Sequence, residues 1–66
     1  MNKMTPEYAE HLAKRAGCNV IHQFARGVKW LVISGPRGVE HVAVWYLFQM
    51  SEADFREWHL CRCVEA

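Results

Sequence analysis

The stretch His59-Leu60-Cys61-Arg62-Cys63 concentrates the residue types that do chemistry. On an extended segment His59, Cys61 and Cys63 project to one side. With Cys18 or His22 they would supply the donors of a tetrahedral zinc site. Structural zinc sites, however, use two ligand pairs at close spacing, and the chain lacks such a double pair. A free cysteine is also at home as a small buried hydrophobe. The expectation is no cofactor and no metal, with His59, Cys61, Cys63 and Cys18 as the ligand candidates.

Four histidines, His11, His22, His41 and His59, are of the type that titrates near neutral pH. None belongs to a recognisable catalytic arrangement. Cys18 beside His22 would make a thiol nucleophile with its base. Cys18 follows a helix C-terminus, though, whose dipole disfavours a thiolate. The chain has no phosphate-cradling Gly-x-x-x-x-Gly-Lys loop, and its single aspartate, Asp54, is explained by a capping role. A non-enzymatic protein is expected.

These residues sit in 66, of which 52% are hydrophobic, 12% aromatic and 23% charged. So short a chain builds one small domain, 1–66, with a thin core. The composition excludes a disordered tail, a collagen-like repeat and a disulfide scaffold. Three cysteines, two of them one residue apart, suit reduced thiols better than a secreted framework. No apolar run is long enough to span a membrane, and Met1-Asn2-Lys3-Met4-Thr5-Pro6 does not read as a signal peptide. A soluble, cytoplasmic protein without a membrane partner is the expectation.

Thr5 as N-cap, Pro6 at the first helical position, Glu7 in the first turn and Gly17 as a left-handed stop predict a helix over Pro6–Ala16. Tyr8, Leu12 and Ala16 recur at steps of four, and Ala9 and Ala13 widen that stripe. Three β-prone segments follow: Val20–Ala25, Val28–Ser34 and Val39–Phe48. Arg26-Gly27 and Gly35-Pro36-Arg37-Gly38 separate them, which predicts an antiparallel meander. Ser51 then caps a helix from Glu52 to about Leu60. Beyond Trp58 the apolar pattern decays, and the tail is left unassigned. The fold class is α+β, in the order αβββα.

Charge is uneven along the chain. Residues 1–38 carry six Lys or Arg against two Glu, and residues 39–66 two Arg against five acids, for a net charge of +1. Lys14, Arg15, Arg26, Lys29 and Arg37 would form one basic side, with Trp30 available to stack on a base. The element order resembles that of double-stranded-RNA-binding domains, and the resemblance implies nucleic acid as an alternative partner. Those domains open the second helix with a lysine cluster, where this chain has Ser51-Glu52-Ala53-Asp54. Acids there repel phosphate, so the resemblance ends at element order.

Alternation sets Val28, Trp30 and Val32 on one face of the second strand, and Lys29, Leu31 and Ile33 on the other. The third strand sets Val39, His41, Ala43, Trp45 and Leu47 against Glu40, Val42, Val44, Tyr46 and Phe48. The first offers His22 and Phe24 on one side, Ile21 and Gln23 on the other. Both faces are thus rich in apolar groups, whereas a half-solvated sheet alternates cleanly. Two short helices cover one face well and leave little for the second. The chain is therefore expected to be a protein-binding module, a small regulator, inhibitor or accessory subunit. Its contact is an open sheet face or strand edge, and a homodimer is the simplest form. Phe24, Trp30, His41 and Trp45 are the candidate contact residues, with Arg26 and Arg37 as charged rim.

Overall fold

The computed structural model describes residues 3–64. Helix α1 spans Pro6–Arg15, and the Thr5 hydroxyl accepts the Tyr8 N–H at 3.2 Å to cap it. Gly17, with φ +92°, turns the chain out of the helix. Strands β1 (Asn19–Ala25), β2 (Val28–Gly35) and β3 (Gly38–Ala43) then form an antiparallel sheet in the order β1-β2-β3. Arg26 and Gly27 close the first hairpin with φ of 56° and 73°. That pair of positive values is the mark of a two-residue type I′ turn.

The register fixes the faces. Ile21 lies opposite Val32 and Val32 opposite His41, while Leu31 lies opposite Val42 and Ile33 opposite Glu40. Leu31, Ile33 and Val42 pack with Ala9, Leu12 and Ala13 of α1, and with Leu47, Phe55, Leu60 and Cys63 from the C-terminal half. All helical cover therefore lies on one side of the sheet. The Cα envelope, 32 × 29 × 16 Å, is thin in the direction that two layers predict.

Three expectations need correction. The third strand stops at Ala43, and Val44–Leu47 forms a short helix, α2, not the strand end expected up to Phe48. Helical spacing turns Leu47 into the core at 0% exposure, and that packing overrides the β preference of Val44, Trp45 and Tyr46. In α1 the buried stripe is Ala9, Leu12 and Ala13, while Tyr8 and Ala16 are exposed. Tyr8 instead sends its hydroxyl to Glu52 Oε1 at 3.0 Å, joining the two ends of the chain.

The third correction concerns the tail. Helix α3 (Glu52–Phe55), capped by Ser51, runs into a π-helical turn over Arg56–Leu60 and then α4 (Cys61–Val64). The helical rod so continues beyond Leu60. A π turn adds a residue to the repeat, so buried positions step from Phe55 to Leu60 to Cys63. This rod closes against the β2–β3 hairpin, where the Arg37 N–H donates to the Cys63 carbonyl at 2.9 Å. No helix among the described residues is long and apolar enough to cross a membrane.

Candidate functional site

The side of the sheet away from the helices is built from alternate residues of each strand. Asn19, Ile21, Gln23 and Ala25 come from β1, Val28, Trp30, Val32 and Ser34 from β2, and Val39, His41 and Ala43 from β3. None is Lys, Arg, Asp or Glu. Ile21 is 56% exposed and Val39 54%. Val32 and Ala43 are buried yet stand outside the core cluster. Trp30 is half-buried, and its indole N–H donates to the Ala25 carbonyl at 3.3 Å, which lays the ring along the sheet. Gln23, Ala25, Arg26, Trp30 and His41 line a shallow depression of about 310 Å³ on this side.

The expected contact residues do not form one surface. Trp30 and His41 share the open face, and Arg26 borders it. Phe24 alternates to the helix side, where it stays 68% exposed. Trp45 rides on α2 instead of a strand, 59% exposed, beside Gly27 and Val28. Phe24, Val44 and Phe48 wall a larger groove of about 600 Å³, which Gln23 and Trp30 also border, with Lys29 and the α1 residues Pro6 and Glu7. Ile21, Val32, Val39 and Ala43 are the face residues that sequence reasoning passed over. The Arg26-Gly27 turn held the signal, because a two-residue loop sets Ala25 opposite Val28 and so Ile21 beside Trp30.

The expected basic side also divides. Arg26 and Lys29 lie at the β1–β2 turn, and Arg37 lies in the β2–β3 turn at the opposite end of the eight-residue β2. Lys14 and Arg15, in the last turn of α1, belong to Arg37's end. Lys14 is already engaged by Glu10 at 2.7 Å. Of the five, only Arg26 and Lys29 lie near Trp30.

The ligand candidates are likewise separated. Because the tail is helical, His59, Cys61 and Cys63 do not project together. His59 Nδ1 pairs with Glu40 Oε1 at 2.9 Å, Cys61 is half-buried, and the Cys63 thiol donates to the Ile33 carbonyl at 3.6 Å inside the core. Cys18 is buried too. Burial pushes the thiols of Cys18 and Cys63 up, which keeps both protonated at neutral pH and poor as nucleophiles. Among the described residues no group of three or more His, Cys, Asp or Glu is placed to hold a metal ion. His22 bonds instead to Glu10, Nε2 to Oε1 at 2.8 Å. No family model, curated protein or solved structure matches the chain.

Proposed function

We propose that the protein is a non-enzymatic binding module whose open sheet face docks another protein. One observation carries this reading: among the described residues the helices pack on one side, and the opposite face exposes Ile21 and Val39 around half-buried Trp30 and holds no Lys, Arg, Asp or Glu. Solvated faces of antiparallel sheets alternate to polar residues, whereas this one has apolar side chains at seven of its eleven positions, with Asn19, Gln23, Ser34 and His41 as the polar ones. A contiguous apolar patch of this kind marks an interaction site. Its aromatic centre, Trp30, is of the type that anchors interfaces, and Arg26 beside it supplies rim charge. Nucleic acid is the weaker reading, because Arg26 is the one cation lining the depression around Trp30 and the other basic candidates lie elsewhere.

The test is affinity capture from the native host with the wild-type chain and with Val39→Lys as baits. A partner held by the apolar face stays bound at high salt and is lost from the Val39→Lys bait. Equal recovery on both baits, or a partner that salt removes, contradicts the reading.

A further inference from the structure

We propose that β1 is the seam of a two-fold dimer, in which its outer edge pairs antiparallel with the same edge of a second copy, centred on His22, to give one continuous six-stranded sheet.

The strand is unguarded. Asn19-Val20-Ile21-His22-Gln23-Phe24-Ala25 holds no Lys, Arg, Asp, Glu or Pro, and its register with β2 runs without a bulge. Nothing pairs with its outer edge among the described residues. Proteins normally blunt such edges with charge, proline, bulges or cover. The other edge follows that rule: β3 is shorter, carries Glu40, and has the C-terminal helix against Gly38 at its start.

The backbone selects the pairing. The type I′ turn makes Ala25 and Val28 a hydrogen-bonded pair, so Ile21 and Gln23 direct their amide groups inward to β2. Val20, His22 and Phe24 direct theirs outward. A two-fold axis at His22 sets His22 opposite the partner's His22, and Val20 opposite the partner's Phe24. Three outward pairs then exchange two bonds each, about six in all. Moving the axis to Ile21 or Gln23 keeps about four. The same register covers Phe24 with the partner's Val20 on the helix side.

The helices fit the same axis. His22 and Phe24 remain exposed beside α1, so the helix leaves the outer flank of the strand open on that side. Its flank over β1 is acidic at the start, at Glu7 and Glu10, and basic at the end, at Lys14. Two such flanks running antiparallel bring Glu7 to the partner's Lys14 and the reverse, since the Lys14 side chain, though bonded to Glu10, stays 59% exposed. One seven-residue edge with one helix flank buries less than the ~800 Å² per partner of a standard interface. The dimer is therefore concentration-dependent. This inference stands apart from the open-face reading, since Val39 lies on β3 and away from the seam.

Sedimentation of the full chain from about 1 μM to about 1 mM tests it, a span that brackets contacts of this size. The wild type passes from monomer to dimer across that range. His22→Pro removes an outward N–H without touching the β2 ladder, and Phe24→Lys places a charge on the seam at a side chain the fold leaves exposed. Each weakens association at least about tenfold, on the order of one hot-spot loss, with the far-ultraviolet circular dichroism unchanged. Glu7→Lys weakens it, and the exchange Glu7→Lys with Lys14→Glu restores it. A wild-type monomer throughout the range, or a dimer that survives both seam variants, overturns the proposal. So does a dimer lost on Val39→Lys instead.

Discussion

Val32 and Ile33 are consecutive in β2, and both are buried, at 6% and 0% exposure, yet only Ile33 belongs to the core. Ile33 meets the helices. Val32 turns to the face away from the helices, between Ile21 and His41 in the register. The functional account rests on this difference.

It separates the two residues energetically. Ile33→Thr places a hydroxyl in the dry core and deletes a methylene, and is expected to cost about 2–4 kcal/mol. Val32→Thr places the hydroxyl on the face that the helices do not pack against, and should cost less, about 1 kcal/mol. Urea denaturation of both variants checks the ratio. Equal losses would mean that Val32 faces a protected interior.

Gly35 and Gly38 flank the β2–β3 turn and differ in the same way. A methyl group on Gly35 would collide with the Cys63 carbonyl, whereas at Gly38 the nearest atom, the Arg62 carbonyl oxygen, is 3.5 Å away. Gly35→Ala is expected to destabilise by about 1–3 kcal/mol, as overpacking does, and to displace the C-terminal helix. Gly38→Ala should stay within about 0.5 kcal/mol. Thermal melts and the circular dichroism at 222 nm report both effects.

Arg26 occupies left-handed backbone at φ 56°, a conformation that asparagine or glycine adopts more easily. Arg26→Asn is expected to stabilise by about 0.5–1 kcal/mol, a rise of several degrees in Tm for a domain this small. The same substitution should weaken partner binding if the guanidinium serves as rim charge, so stability and capture are measured on one variant.

Acid sensitivity follows from two carboxylates. Lys14 and then His22 hold Glu10 below the ordinary carboxylate value of 4.5, and Arg56 and then Tyr8 do the same for Glu52. A depressed folded value means that the folded state releases its proton more readily than the unfolded chain. The stabilisation is therefore present above about pH 5 and lost as pH falls through the folded values. Tm should be level at pH 5–7 and drop below about pH 4.5, with a shallower drop in Glu10→Gln and Glu52→Gln.

Much of the frame is legible in the residues, because its signals are local. Thr5-Pro6 and Gly17 mark the ends of α1, and Arg26-Gly27 and Pro36-Arg37 mark the hairpins. What local pattern hides is tertiary. Val44-Trp45-Tyr46-Leu47 is β-prone in isolation and becomes helical because Leu47 fills the core. The π turn at Arg56–Leu60 shifts the apolar repeat by one residue and makes a helical tail look patternless. The excess of apolar surface over helical cover is evident from alternation. Which residues share the open face depends on register, which sets Phe24 opposite Lys29 on the helix side, and on where β3 ends, which puts Trp45 on a helix.

The most direct measurement is methyl nuclear magnetic resonance of the labelled chain titrated with its captured partner. The account predicts that the methyl signals of Ile21, Val32 and Val39 move together while those of Leu31, Ile33 and Val42 stay in place. Shifts confined to the second group, or to the groove around Val44 on the helix side, would contradict it.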